Sequence, residues 1–584
     1  MDTIIILDGY IDEPTCLGVP PFMSTYPRYI AGSIWKKNPK MPIYYYTIDQ
    51  IRQQPDIISK RFKDATLIIV IAGMMVPGKY LSGYPIHPNE LEKILKQFLK
   101  PKKILCGSAA TYGFGISGGK KPEIIQDNNN ILDASITGDP EIVISKIIDQ
   151  NFDFNHIDFS EKRKSAEDIS EFTVQGSKIV KQHPYFPDRL ILEIETYRGC
   201  PRYITGGCSF CLEPKKGLPD FRSIKSIKNE INALYNHGIR SFRIGNQPCL
   251  FSYQANHIGK EEFPQPNPDA LEDLFSTIRK VAPKLQTLHI DNVNPGIISR
   301  YPEESEQIAK TIVTHHTSGD VAAFGVESLD PKVIKENNLK ANENELISAI
   351  RLFNKIGRKQ GFNGLPELLP GLNFIIGLKG ETKKTFDYNY KFLQNLVKND
   401  LLVRRINIRQ VIPLPHTTME KTGNSLSNKH KRYFSHFKYQ VKHTVEQPLL
   451  QKLVPRGTTL TDVFFELWKG KTTFGRQIGS YPLLVGIPGN FPIGSKQNIT
   501  ITDHGFRSVT GIPKPVHINS AQRQTIQAIP GIGKKRTIRI LANRPFTNKQ
   551  QFIKTFDDVI IAESILKYLS FDLRTKTKES NDMR

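Results

Sequence analysis

The sequence predicts an α/β protein of four modules: an N-terminal doubly wound α/β domain, a partial parallel (β/α)6 barrel, a small antiparallel β-barrel and C-terminal helical hairpins. Three observations carry this reading. From residue 3 to about residue 412, short continuous apolar runs alternate with amphipathic helical patterns, as buried parallel strands and their crossover helices do. Residues 447–511 switch to alternating polarity with frequent Gly, Pro and Thr, as short antiparallel strands do. Beyond them, Gly531-Ile532-Gly533 separates two helical patterns, where a tight turn is expected.

The first module is expected over residues 1–150. Apolar runs at 3–7, 66–72 and 103–107 end in Gly or polar residues, and a helical pattern at 90–99 lies between two of them. In such sheets ligands sit at the strand ends. Gly18-Val19-Pro20-Pro21 and Gly107-Ser108-Ala109-Ala110 are candidate crevice walls, and ordinary strand-end turns explain them equally well. Residues 151–188 are polar and charged and read as a connector. The second module, 189–446, holds apolar runs at 190–194, 241–244, 287–290, 321–326, 372–376 and 406–412, with helices such as 226–237 and 342–355 between them. Chemistry in a parallel barrel belongs at the strand C-terminal ends. The small barrel is expected over 447–516 and the helical hairpins over 517–573. The polar tail 574–584 reads as disordered.

Composition narrows the partners. Apolar content of 39% and charged content of 23% suit a globular protein with sizeable cores. A net charge of 80 − 57 = +23 points to a polyanion, nucleic acid first, against the alternative of a Lys-, Asn- and Ile-rich proteome. From residue 449 to 584 there are 21 Lys and Arg against 9 Asp and Glu, so about half of the excess lies in that last quarter. Cys16, Cys106 and Cys249 are scattered, which implies no disulfide framework and a reducing compartment. The longest apolar run, 66–76, is too short to span a bilayer, and no signal peptide precedes Ile4, so a cytoplasmic protein without a membrane partner is expected.

The other three cysteines cluster. Cys200, Cys208 and Cys211 lie within twelve residues, on a stretch that follows a buried strand and contains Gly199, Gly206 and Gly207. Three thiolates on one loop can ligate three irons of a [4Fe–4S] cluster and leave the fourth open. A zinc knuckle would need a fourth protein ligand, and His237 and His257 are far along the chain. Unligated cysteines are the remaining alternative.

This loop resembles that of radical S-adenosylmethionine (SAM) enzymes, including the aromatic Phe210 before the last cysteine, in a variant spacing of seven residues and then two. The resemblance implies a [4Fe–4S] cluster on Cys200, Cys208 and Cys211 and SAM at its open iron. It extends along the barrel. Gly245-Asn246-Gln247-Pro248 is similar to the turn that holds the SAM amino group. Phe324-Gly325-Val326-Glu327-Ser328 is similar to a strand end whose polar residues, here Glu327 and Ser328, face SAM. Gly377-Leu378-Lys379-Gly380-Glu381-Thr382 resembles the turn after the fifth strand, and residues 409–417 resemble the sixth-strand segment of methylthiotransferase-like members. The N-terminal module loosely resembles those of cobalamin-dependent members and of methylthiotransferases. It lacks the Asp-x-His-x-x-Gly that ligates cobalt and the cysteines of a second cluster, so cobalamin stays open without a motif behind it.

Residues 447–516 resemble the TRAM module, an RNA-binding OB-like barrel, in which Arg476 would meet phosphate and Tyr481 would stack on a base. A lid on the large barrel is the alternative. Residues 526–541 resemble a helix-hairpin-helix, in which Gly531 and Gly533 let the backbone approach phosphate and Lys534, Lys535 and Arg536 add charge. A packing hairpin is the alternative there. Together these resemblances imply a radical SAM enzyme that modifies a nucleoside in structured RNA, tRNA first, served by a ferredoxin- or flavodoxin-like electron donor. A catalytically silent nucleic-acid-binding or repair protein with a structural metal loop is the competing reading.

Overall fold

The computed structural model describes residues 2–13, 15–73, 83–115, 117–125 and 131–572; the tail 574–584 lies outside them. The chain forms two units: Met1–Arg358 with Glu367–Val441, and Lys359–Pro366 with Lys442–Arg584.

The first unit opens with five parallel strands, β1 (Ile4–Asp8), β2 (Ile43–Thr47), β3 (Leu67–Ile71), β4 (Lys102–Cys106) and β5 (Ala134–Ser135), in the order β2-β1-β3-β4-β5. Every residue of β1 and β3 is buried, which is why both read as unbroken apolar runs rather than alternating ones.

Six further parallel strands follow: β6 (Ile191–Glu195), β7 (Ser241–Gly245), β8 (Thr287–Ile290), β9 (Asp320–Glu327), β10 (Leu368–Ile376) and β11 (Arg405–Gln410). They form two ladders, β8-β7-β6 and β9-β10-β11. The two-residue strand Asn292–Val293, just after β8, pairs with β9 and carries the curved sheet across the break at Asp291. Buried Arg243 on β7 fills that break, paired with Asp291 on one side and with Glu193 of β6 at 2.8 Å on the other. On the outer side of β6, the short strand Phe22–Met23 from the N-terminal region adds in parallel. The N-terminal sheet and the β6–β11 sheet therefore belong to one compact unit rather than to two domains joined by a linker.

Residues 151–188 differ from the expected connector. A 3-10 turn (Ala166–Ile169), helix α2 (Ser170–Gln175) and a second 3-10 turn (Gly176–Gln182) pack on α1 (Tyr26–Lys37). Ile169, Phe172, Ile179 and Val180 are buried, an apolar stripe masked in the sequence by the charged residues around it. Contact is at backbone level. A Cβ on Gly32 would lie 1.9 Å from the Phe172 carbonyl oxygen, and one on Gly176 would lie 1.8 Å from that of Arg28. The segment ends at buried His183, whose Nδ1 accepts the Tyr185 N–H at 3.0 Å and whose ring lies 5.9 Å from that of Tyr45.

The second unit is a closed five-stranded barrel followed by helices. Its strands are β12 (Thr459–Lys469), β13 (Thr472–Arg476), β14 (Leu484–Pro488), β15 (Lys496–His504) and β16 (Ser508–Pro513), in the cyclic order β12-β13-β14-β16-β15, with β14 and β16 parallel. The excursion 359–366, expected inside the large barrel module, belongs here: Gln477 donates to the Asn363 carbonyl at 2.7 Å, and Gly364 lies against the Thr459 carbonyl. Helices α3 (Arg523–Gln527), α4 (Lys534–Ala542), α5 (Lys549–Lys554) and α6 (Val559–Ile565) close on a core that includes Ile526, Ile540, Phe552 and Ile565.

Two outcomes test the reassigned segment. Gly176→Ala forces a methyl group into the Arg28 carbonyl and should destabilise the chain by about 1–3 kcal/mol; a loose connector would show no change in a denaturant titration. Burial holds the His183 pKa down at about 3. The unfolded chain binds that proton below about pH 6.5 and the folded chain does not, so stability is lost as pH falls from about 6.5 towards 3. His183→Asn should make the acid slope shallower by up to about 1.4 kcal/mol per pH unit.

Candidate active site

The cysteine loop is a closed excursion at the end of β6. Tyr197–Arg198 pairs antiparallel with Asp220–Phe221 and zips its two legs together. The Cys200 N–H donates to the Gly217 carbonyl at 2.9 Å, and a Cβ on Gly199 would lie 2.3 Å from the Leu218 carbonyl oxygen. A 3-10 turn from Pro201 to Thr205 leads into Gly206 and Gly207, both with left-handed φ, of 79° and 67°. A side chain at Gly207 would collide with Pro214 at 2.2 Å. A turn then carries the Cys211 N–H to the Cys208 carbonyl at 3.1 Å.

Residues far along the chain fasten this loop. The Ser209 N–H donates to the Asn337 carbonyl at 3.1 Å, and Asn338 Nδ2 donates to the Gly207 carbonyl at 3.0 Å. The Met419 N–H donates to the Ser209 carbonyl at 3.0 Å. Phe210 packs against the cluster of Val333, Leu339, Leu378, Val411 and Met419. Arg202 Nη1 donates to Cys208 Sγ at 3.1 Å, and its Nη2 donates to Asn338 Oδ1 at 2.9 Å. Arg202 and Lys340 were not singled out from the sequence. The first had a signal in its place two residues after Cys200; the second had none.

The donor set suits a cationic centre. Burial pushes the Cys200 thiol up to about 12 and Cys211 further still, with the neighbouring thiols adding to the effect and Lys340 opposing it. Thiols held this way ionise when a metal centre supplies positive charge. Among the described residues no three His, Cys, Asp or Glu side chains gather as a single ion requires. A cluster takes each thiolate at a different iron, so three thiols on one loop can serve it, whereas a structural zinc would need a fourth protein ligand. The remaining cysteines are structural: Cys249 Sγ accepts the Asn294 N–H at 3.2 Å, Cys106 donates to the Val70 carbonyl at 3.3 Å, and Cys16 is buried.

The expected SAM-facing residues divide. Gln247 is fully buried and its Oε1 has no hydrogen-bond partner. Glu327 is buried with Oε2 unpartnered, its Oε1 lying 3.9 Å from Lys340 Nζ. Burial pushes Glu327 up to about 7. Two orphaned acceptors, one just past β7 and one at the end of β9, fit a ligand rich in donors, as the SAM ammonium and ribose are. Asn246, with φ of 58°, instead donates to Glu195 Oε2 at 2.8 Å. Ser328 accepts the Asp330 N–H at 3.2 Å and caps a turn. At Gly245 a Cβ would lie 1.9 Å from Glu193 Oε1, so a side chain there would disturb the Glu193–Arg243 pair.

Beside the loop lies a cavity of about 450 Å³, lined among others by Cys211, Asn246, Leu414, Thr15, Gly107 and Ser108. The strand-end glycine of β4 thus does line a crevice. Gly18-Val19-Pro20-Pro21 is not part of its wall.

In the second unit, Arg476 is tied to Glu466, with Nη2 to Oε2 at 2.9 Å, which removes it as the phosphate contact expected from the sequence. Tyr481 is half-buried with φ of 52°. Gly531 adopts φ of 87°, and a Cβ on Gly533 would meet open space. Lys534 and Lys535 are exposed. Arg536 donates to the Gly531 carbonyl at 2.9 Å and pairs with Asp557 at 3.3 Å, so it holds the turn.

Cys200→Ala, Cys208→Ala and Cys211→Ala should each remove most of the iron from anaerobically purified protein, because these three share the loop. Cys249→Ala should keep its iron and lose stability alone. Full iron in the Cys208 variant would refute the assignment.

The model of the Radical SAM superfamily matches residues 194–393. An uncharacterized protein of Methanocaldococcus jannaschii is 46% identical over 515 residues, covering 87% of this chain and 92% of its own. An uncharacterized protein of Archaeoglobus fulgidus is 41% identical over 526 residues, 90% of this chain and 93% of its own. Among solved structures, the radical S-adenosylmethionine methyltransferase TsrM of Kitasatospora setae, with cobalamin and a [4Fe–4S] cluster bound, aligns at 13% identity and TM-score 0.45 over 72% of this chain and 77% of that one. Coproporphyrinogen III oxidase of Escherichia coli aligns at 14% identity and TM-score 0.29 over 44% and 54%. Likeness at that level carries no weight for the reaction. Residues 194–393 thus form a radical SAM domain, and the chain is an enzyme whose cofactors are a [4Fe–4S] cluster and SAM.

Proposed function

We propose that the enzyme modifies a nucleoside in structured RNA, with tRNA the first candidate, and that its second unit is the RNA grip. The observation that carries the reading is a basic and aromatic surface on that unit. At the β12–β13 turn, Trp468 is 54% exposed beside exposed Lys469 and Lys471, with its Nε1 donating to the Phe491 carbonyl at 2.7 Å. An indole fixed at one edge and open on its face is a stacking platform for a base, and the lysines supply phosphate contacts. A five-stranded barrel of this size is the scale of OB-like modules, including the TRAM module, whose first inter-strand loop takes part in binding. On the helical side, Gly533 opens α4 with no side chain, and Lys534 and Lys535 flank it. A helix N-terminus with free N–H groups favours phosphate, as in a helix-hairpin-helix.

When bound, the reduced cluster and SAM supply a carbon radical able to take an unactivated hydrogen. The chain's own residues bind and shield. Gln247 Oε1 and Glu327 Oε2 accept from SAM, Arg202 fixes the Cys208 sulfur, and Phe210 with the apolar cluster behind it keeps water from the loop. Methyl transfer or base rearrangement suits this chain better than methylthiolation, because the three cysteines outside the loop are scattered and buried. The electron donor is of the ferredoxin or flavodoxin kind. Among the described residues no helix is long and apolar enough to cross a membrane.

Mass spectrometry of nucleosides from the tRNA and rRNA of a deletion strain tests the reaction: one modification should be missing, and an unchanged profile would refute it. The RNA grip is tested separately. Lys534→Ala with Lys535→Ala should make the log–log salt dependence of RNA affinity shallower by up to about 1.5, while Arg536 is left in place to hold the turn. Trp468→Ala should weaken binding by about 1–3 kcal/mol with little change in that slope.

A further inference from the structure

The cavity beside the cysteine loop has a chemical bias that the superfamily does not dictate. Three of its cations are engaged by carboxylates. Arg163 pairs with Glu195 at 2.8 Å and Glu141 at 3.2 Å, Arg198 with Asp139 at 2.6 Å, and Lys216 with Glu213 Oε1 at 2.8 Å. Three of its oxygens are not. Glu213 is 7% exposed; Thr15 and Lys216 both donate to its Oε1, and its Oε2 is buried without a hydrogen-bond partner. Glu13 Oε1, on the N-terminal side, is buried and unpartnered too. Tyr29, 2% exposed, lines the cavity with a hydroxyl that has no partner. Buried polar atoms in native proteins are nearly always satisfied, so three unsatisfied oxygens around one cavity call for a donor from outside the chain.

We propose that this cavity receives the reacting part of the substrate by an edge of paired N–H donors, taken by Glu13, Glu213 and Tyr29, as the N1–H and 2-amino group of a guanine base or the guanidinium of a small cation would present. The inference rests on the radical reading of the same site and adds what that reading lacks, the chemistry that orients a substrate beside Cys211. Two carboxylates with unpaired oxygens favour a donor edge over an acceptor edge, since an acceptor would face repulsion and leave these oxygens unpaired. A volume of about 450 Å³ admits a nucleoside-sized group. The donor edge can come from a base within RNA or from a free molecule, and the probes separate the two.

Equilibrium dialysis with the full-length, anaerobically purified protein would use guanosine, inosine and agmatine as probes. Inosine differs from guanosine by lacking the 2-amino donor. Guanosine should bind about tenfold or more tightly than inosine, or agmatine should bind where inosine does not; the first result points to a base and the second to a free cation. Glu13→Gln and Tyr29→Phe should each reduce that preference while keeping the iron content of the parent. Glu213→Gln should do the same, but it lies near Cys211, so the first two variants decide. Equal affinity for all probes, no binding, or a preference unchanged in both deciding variants would overturn the proposal. SAM cleavage without probe selectivity would sink this inference and leave the radical reading standing; selectivity without SAM cleavage would do the reverse.

Discussion

Charge buried beneath the strand ends holds this enzyme's working face in shape. Arg243 sits between Glu193 and Asp291 on neighbouring strands, and Arg28 of α1 reaches both Glu230 and the Glu193 carbonyl. Arg222 closes the circuit, donating to Glu230 at 2.7 Å and to the Glu195 carbonyl at 2.8 Å. Such pairs add little net stability over apolar packing, yet leaving one charge unpaired costs about 3–5 kcal/mol. They therefore act as registry pins. The N-terminal helix and the first two barrel strands must be in place for all of them to be satisfied together. The same constraint explains Gly245, which is small so that Glu193 can reach Arg243.

The cysteine loop depends on this frame and adds a second kind of constraint. Its path needs positive φ at Gly199, Gly206 and Gly207, with close contact to the Leu218 carbonyl at the first and to the Pro214 ring at the last. A chain so bent does not hold itself; Asn337, Asn338 and Met419 hydrogen-bond it from the far side of the barrel. Those contacts place Phe210 against an apolar cluster and bring Arg202 to the Cys208 sulfur. Loop geometry and strand-end polarity are thus one assembly, in which the acceptors of Gln247 and Glu327 are left without internal partners.

The second unit follows a different logic. Its core is ordinary: isoleucines and phenylalanines from short helices packed together, beside a closed barrel without exposed edges. What distinguishes it is the surface. Arg476 and Arg536 look like nucleic-acid contacts in the sequence, but Glu466 and the Gly531 carbonyl claim them. Cations left in solvent include the lysines at 469, 471, 534 and 535.

By itself the sequence determined the strand rhythm, because buried parallel strands must be continuously apolar, and it determined the cysteine loop, because spacing and glycine are local properties. All six strands of the β6–β11 sheet lie within a few residues of the apolar runs that announced them. The small barrel was legible for the same reason, in its alternation and its turns. Tertiary structure alone decided what depends on partners distant in the chain. The stretch 151–188 is a packed clamp because its few apolar residues meet Gly32 and its neighbours on α1, a match no local pattern records. Ser328 and Arg476 are engaged elsewhere, and Lys340, Glu13 and Tyr29 are drawn to the site from remote positions. The physical reason is the same in each case: a polar side chain's role is set by which partner it satisfies, and that choice is made in three dimensions.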